Sequence, residues 1–436
     1  MDVLVYSLLL MLASIFYYNR KYALFYICLF SIVSEFWGML AAATIKSCDY
    51  LFVLTFVCSF IGKLRNSAFF SVKRDIVGKF ILIIVGLTTF DALISPMRGV
   101  ESLPYALMVL RFEIPYLLYF VFRSIPVYSL KRSMPILLYG SIITGILYYL
   151  QFIGIFLLVA SDESQASMEF SRYNNIPILT IPIILYLFSS TEKTKNKMSI
   201  LVFFAGILIL SQNRGMILAV AIALGYYIIK YRTLISKKMI VGLGIVVLLS
   251  SSVLAYRFSQ KGSTGDGFKS ELLLAKEMFH NRNYRFYDNS MMVVNGTLAF
   301  RSALIAERVD YLVEHPLSLI IGAGSYHEKS PSTKKLPFVL GSRTEDGVAK
   351  VDTGDISLVS RIFRYGLLYM FIFAAFLYRV FRNALVGKSH INRLCQLLLV
   401  TYFFMMTSAD VFFYPPMMLV FLILVTYSNL KNAEND

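Results

Sequence analysis

Apolar runs of about 16–24 residues recur along the chain, separated by short polar connections and interrupted by one long hydrophilic block. They fall at about 2–18, 22–44, 49–62, 76–94, 103–122, 134–160, 175–189, 198–212, 215–230, 239–256, 357–381, 392–408 and 411–429. In hydrocarbon every backbone N–H and C=O must be satisfied within its own segment. Repeated runs of spanning length, rather than alternating ten-residue strands, therefore predict helices and not a barrel. The expected fold is an all-α polytopic membrane protein of about 12–13 transmembrane helices with one large, partly helical external loop. Residues 1–256 would carry about ten helices, 257–356 the loop, and 357–436 about three more. The first run, MDVLVYSLLLMLASIFYYNRK, lacks a basic leader and a small-residue cleavage site, so it is expected to span rather than to be a removed signal peptide.

Inside the loop the clearest element is a helix over 298–315. At about 100° per residue, Leu304, Ile305, Val309, Leu312 and Val313 share one broad arc, with Glu307, Asp310 and Glu314 opposite. Arg301, Arg308 and His315 recur every seven residues and form a row set into the apolar arc. Pro316 ends the helix, and LSLII then leads to GAGS, a tight turn where Gly322 and Gly324 permit close backbone approach. Two readings fit: a helix lying on the membrane and reaching for phosphate, or an ordinary surface helix with solvated charges.

Composition adds orientation. The chain is 57% apolar with a formal net charge of +16. In a soluble protein that charge would suggest nucleic acid, but here it records topology. Alternate connections hold 22 lysines and arginines, against only Lys46, Arg98, Arg172 and Arg214 in the intervening short ones. Positive charge stays cytoplasmic, which predicts an external N-terminus, a cytoplasmic C-terminus and an external loop. Cys28, Cys48, Cys58 and Cys395 lie in or beside apolar runs without metal-ligand spacing, so neither a disulfide framework nor a metal site is expected.

Some charges run against this economy. Arg111 sits two turns inside an apolar run, Arg214 occupies the short turn SQNRG, and Arg361 and Arg364 open the run after the loop. An ionisable group in a span costs about 2.5–3.5 kcal/mol and needs a partner or a wet cavity. Glu113 cannot face Arg111 along one helix, which leaves Glu35 and Asp91 as interhelical candidates. The alternative to ion pairing is ligand binding, since a guanidinium offers a planar fork of donors suited to phosphate. Asp352 and Asp355 stand where the loop meets the next helix; Asp355 is either a helix cap or a base toward a sugar hydroxyl.

Together these residues resemble the O-antigen polymerase and O-antigen ligase superfamily of bacterial polysaccharide assembly. SQNRG (211–215) is similar to that family's Ser-x-x-Arg-Gly turn, with Arg214 on the family arginine. RSALIAERVDYLVEHPLSLIIGAG (301–324) resembles its loop motif of arginine, helix, His-Pro step and Gly-x-Gly, with Arg301, Gly322 and Gly324 on the matching positions. Where the ligases show His-Asn, the spacing to Gly366 puts Asp355, a departure that favours polymerase over ligase. The resemblance implies a glycosyltransferase of the bacterial inner membrane. It would move a growing glycan from an undecaprenyl-diphosphate carrier onto a lipid-linked oligosaccharide repeat unit, with no cofactor, no metal and no nucleic acid, alongside a chain-length regulator. Arg214 and Arg301 would offset charge on the leaving diphosphate, Asp355 would serve the acceptor hydroxyl, and Arg111, Arg308, Arg361, Arg364 and His315 would bind substrate. A ligase, or less favoured a lipid-linked sugar transporter, are the alternatives; the absence of paired repeats argues against a transporter.

Overall fold

The computed structural model describes residues 2–33, 47–73, 75–153, 176–190, 196–211, 213–232, 244, 267–280, 297–344, 347–351, 356–406, 409 and 411–433. These are mostly helical. Before the hydrophilic block come α1 (Asp2–Tyr18), α2 (Tyr22–Val33), α3 (Ser47–Arg65), α4 (Ile76–Ile94), α5 (Leu103–Leu110), α6 (Leu118–Arg123), α7 (Val127–Phe152), α8 (Thr180–Ser189), α9 (Lys197–Leu210) and α10 (Arg214–Tyr231). Within the block lie α11 (Gly267–His280), α12 (Thr297–Glu314) and α13 (Pro316–Ile321), followed by a small antiparallel hairpin, β1 (Ser342–Thr344) and β2 (Gly347–Ala349). The chain closes with α14 (Ser357–Val386), α15 (His390–Met405) and α16 (Pro415–Ala433). Apart from Gly244, the run at 239–256 lies outside the described residues.

Among the described residues, α4, α7 and α14 are long and apolar enough to cross a membrane. A bent pair, α5 with Ile114–Arg123, makes a fourth. The remaining apolar helices, such as α2 and α8, are shorter. Their buried faces form one extensive core, in which Phe25, Leu118, Tyr119, Phe376, Leu398 and Phe421 are closed to solvent. Asp75 and Ser389 cap the starts of α4 and α15 by accepting from Gly78 N and Asn392 N, satisfying amides that have no partner in the first turn.

Two of the apolar helices differ from the continuous helices that the apolar runs predict. The run at 103–122 breaks after Leu110 into a turn and a 3-10 segment, Ile114–Leu117, and bends by 43°. Pro115 has no N–H to continue the α-helical ladder, and the break turns the Glu113 carboxylate inward, where it is fully buried. The second break is at Gly366 in α14, whose φ of 77° and ψ of 178° no helix contains. It frees the carbonyls of Phe363 and Arg364, which accept from Ala323 N (2.7 Å) and Gly324 N (3.2 Å) of the GAGS turn. A helix break and a glycine turn thus complete each other's hydrogen bonding.

The hydrophilic block has two small apolar clusters of its own. One joins Met278 of α11 to Phe300, Ala303 and Leu304 of α12 with Leu340 and Ile356. The other joins Leu312, Ala323, Leu336, Phe338 and Val351 to Phe363 of α14. Helix α12 follows the predicted 298–315 closely, but its charges do not. Glu307, expected on the solvent side, is buried and accepts from Val339 N at 2.7 Å and Leu340 N at 3.4 Å. Arg308, 2% exposed, pairs with Glu307, donates to the Leu340 and Lys350 carbonyls at 2.7 and 2.6 Å, and lies over the Phe338 ring. Burial pulls its guanidinium down to about 10, which leaves it charged at neutral pH. Arg308 fastens the 339–350 segment to α12 and does not reach for substrate.

Candidate functional site

The site grows from the GAGS turn, 322–325. Gly322 has φ +89° and Gly324 φ +119°, both outside the range of L side chains. A Cβ on Gly322 would overlap the Arg364 carbonyl, and one on Gly324 would come within 2.6 Å of Val100 Cγ1. The turn is thereby clamped between the α14 break on one side and the connection from α4 to α5 on the other. Side chains of that connection complete the clamp. Ser325 Oγ donates to Asp91 Oδ2 at 2.6 Å, Ser325 N to Ser95 Oγ at 3.2 Å, and Ser330 Oγ to Glu101 Oε1 at 2.6 Å. His327 N reaches Glu101 Oε2 at 3.3 Å, and the His327 ring stacks on Tyr105 with centroids 5.6 Å apart.

Two arginines from separate stretches of chain donate to this turn, and a third lies near it. Arg98 donates to the Gly322 carbonyl at 3.3 Å and stands 3.7 Å from Asp91, beyond hydrogen-bond reach, with its side chain 29% exposed. Arg364 Nε donates to the Tyr326 carbonyl at 3.2 Å. Arg111, at the end of α5, pairs with Asp49 at the start of α3 at 2.7 Å; the expected partner Glu35 lies outside the described residues. Arg111 and Arg364 are close enough to His327 for their charge to act on its ring.

His327 was not singled out by its sequence. It is buried, and its Nδ1 accepts from Lys329 N at 3.2 Å, so the neutral ring carries its proton on Nε2. Burial lowers its pKa below the ordinary 6.5; Glu328 and Glu101 oppose this, while Arg111 and Arg364 add to it. A base with a depressed folded pKa costs nothing above the unfolded value. Between 6.5 and the folded value the unfolded chain binds the proton first, and stability falls as pH falls. Hydrogen exchange should therefore show the 323–330 amides losing protection as pH drops below about 6.5, and His327→Gln should flatten that dependence. Equal pH dependence in both proteins would contradict the assignment.

The remaining sequence candidates separate. Arg361 is 4% exposed and paired with Glu113 of the bent span, with Tyr369 Oη 3.4 Å from the same carboxylate and its guanidinium 3.3 Å above the Phe413 ring. This is a buried interhelical pair, not a group that faces substrate. His315 is exposed at the start of α13, with Nδ1 at 2.8 Å from the Tyr311 carbonyl and its ring stacked on Tyr311. Arg301 is half-buried in the first turns of α12. Arg214 begins α10, where Asn213 caps the helix through Met216 N; the Arg214 side chain, like Asp352 and Asp355, lies outside the described residues.

Beside the turn is a cavity of about 220 Å³ between α4, α13 and α14. Leu87, Phe90 and Ile94 of α4, Ile321 of α13 and Leu368 of α14 make its apolar wall, and Asp91 and Arg98 stand at its polar rim. Compared with known proteins, the chain matches no family model and no curated protein sequence.

Proposed function

We propose that the chain is a multi-pass protein of the bacterial inner membrane that polymerises lipid-linked glycan repeat units on the external face. The observation that carries this reading is the convergence of Arg98 and Arg364 on the 322–328 turn, with Arg111 near His327, beside an apolar cavity. Clustered guanidiniums suit a diphosphate, and an adjoining apolar wall suits the lipid that bears it. Topology supports the same reading. Arg98, which alternating charge assigns to the outside, stands by one end of α4, whereas Arg123, expected inside, joins Asp75 at the other end, about 28 Å along the helix. The order of motifs from 211 to 369 resembles that of the polymerase and ligase superfamily.

In this reaction the acceptor sugar hydroxyl forms a bond to the anomeric carbon of the donor glycan. The bond from that carbon to the carrier diphosphate breaks, and the diphosphate leaves as an anion. Arg98, Arg111 and Arg364, with Arg214 and Arg301 carried over from the resemblance, offset the charge that develops on the leaving group. Asp355 takes the hydroxyl proton.

A deletion strain analysed by glycolipid gel separates the readings. Loss of a polymerase leaves single repeat units on the lipid core. Loss of a ligase leaves bare core with finished polymer stranded on its carrier, and loss of a transporter strands unpolymerised units inside. Arg214→Ala and Arg301→Ala should each abolish chain extension at normal membrane abundance; unchanged polymer length in both would remove them from the mechanism.

A further inference from the structure

We infer that the external block is seated in the bilayer through α13, whose apolar face lies among the acyl chains of the outer leaflet. Helix α13 reads Pro-Leu-Ser-Leu-Ile-Ile, and none of its residues is buried. Leu317 is 68% exposed, and Ile320 and Ile321 are exposed beside it; Leu319 packs partly onto the cluster around Phe363. A single aliphatic side chain in water is ordinary. A helix in which every residue but Ser318 is apolar, and whose outer face meets nothing among the described residues, is a contact surface.

Its height says what covers it. Ser325, in the turn that follows α13, bonds to Asp91 and Ser95 at the end of α4 remote from the Arg123–Asp75 pair. Helix α4 is about 28 Å long, close to the roughly 30 Å of bilayer hydrocarbon, so that end stands at the outer boundary. Helix α14 gives a similar level by a separate count. Arg382 is exposed near its cytoplasmic end, and a span of about 20 residues counted back from there puts the outer boundary near Ile362. Ile320 lies deeper. Its carbonyl occupies the space that a Cβ on Gly366 would take, and Gly366 is about 6 Å further in than Ile362. Ile321 shares a cavity wall with Leu87 and Phe90 of α4 and Leu368 of α14. Helix α13 therefore stands on the bilayer side of the boundary, and its exposed face continues that of Phe90, Leu93 and Phe371. Polar groups border it, with Glu314 and His315 exposed just before and Arg98 at the turn just after. A second copy of the chain is a poorer cover, because three aliphatic side chains offer far less than the roughly 800 Å² that each partner of a stable complex buries.

The inference rests on the multi-pass part of the functional reading, since it takes α4 and α14 as crossing the bilayer, and it requires no catalysis. The test uses the full chain in vesicles of phosphatidylethanolamine with a minority of phosphatidylglycerol. A nitroxide attached at Leu317→Cys or at Ile320→Cys reports collisions with oxygen, which concentrates in hydrocarbon, and with a nickel chelate, which stays in water. The four native cysteines are buried, so the unsubstituted chain carried through the same labelling supplies the blank. Phe90→Cys and Phe371→Cys, at exposed positions of α4 and α14, mark the lipid, and Lys334→Cys, exposed in the hydrophilic block, marks water. Both α13 labels should match Phe90→Cys and Phe371→Cys, with frequent oxygen and few nickel collisions, and Lys334→Cys should show the reverse. Nickel-dominated collisions at 317 and 320, with 90 and 371 still in lipid, would overturn the inference and leave the membrane reading standing. Labels at 317 and 320 immobilised and shielded from both reagents would also overturn it, because protein then covers the face. Nickel-dominated collisions at all four positions would remove the membrane reading and this inference together.

Discussion

Glu113→Ala should destabilise the detergent-solubilised protein by about 3–5 kcal/mol, because it removes one side of a buried ion pair. Arg361→Ala should do the same by removing the other. The pair joins the bent span to α14 across 248 residues of sequence. It is held further by Tyr369 and by the Phe413 ring under the guanidinium. Replacing both at once with Leu at 113 and Met at 361 should recover most of the loss, since an apolar pair of similar volume carries no desolvation penalty. The double variant should also keep chain extension, because Arg361 contacts the carboxylate and not the substrate. Thermal unfolding of the four proteins reads the coupling. Single variants within about 1 kcal/mol of wild type, or a double variant no better than the singles, would show that the pair contributes nothing.

Gly322→Ala should be nearly as damaging. At φ +89° and ψ 155° an L side chain costs about 1–3 kcal/mol in backbone strain alone. The added Cβ would also overlap the Arg364 carbonyl, a backbone atom that cannot swing aside. Relief requires the turn to leave the α14 break, which breaks the Ala323 N to Phe363 O and Gly324 N to Arg364 O bonds and carries His327 away from Arg111 and Arg364. Limited proteolysis should then cut within 322–336 at protease levels that spare the wild type, and chain extension should fall at equal abundance. Gly86→Ala is the control, since nothing lies within 4 Å of its added Cβ. Equal protease resistance in Gly322→Ala and Gly86→Ala would refute the clamp.

Much of this frame was legible in the sequence for a physical reason. Apolar length and 3.6-residue periodicity are local properties, so α1, α4, α12 and α14 start and end near where the pattern puts them. An apolar run reports burial, however, and not continuity of the helix. Residues 103–122 read as one apolar run around Arg111 and Glu113 and still break, and α14 breaks at a glycine within an unbroken run. Charges were read least well, because their partners are remote. On a helical wheel Glu307 looks solvated and Arg308 sits in the apolar arc, and only the 339–350 segment folding over them gives both their partners. Glu113 stands two residues from Arg111 in the sequence, whereas in the fold it pairs with the distant Arg361. Arg98 and His327 gave no pattern of their own, and only the closure of the GAGS turn onto α4 brings them together.

The central claim is that guanidiniums gathered about the 322–328 turn grip one lipid diphosphate, and Arg98 and Arg364 test it best because each donates to a backbone carbonyl of that turn. The measurement is glycan chain length on a gel from a deletion strain complemented with Arg98→Ala, Arg364→Ala or the corresponding Lys variants, at matched membrane abundance. The account predicts single repeat units for both Ala variants and only partial recovery with Lys, whose ammonium cannot reproduce the forked contact. A full-length ladder from both Ala variants would contradict it.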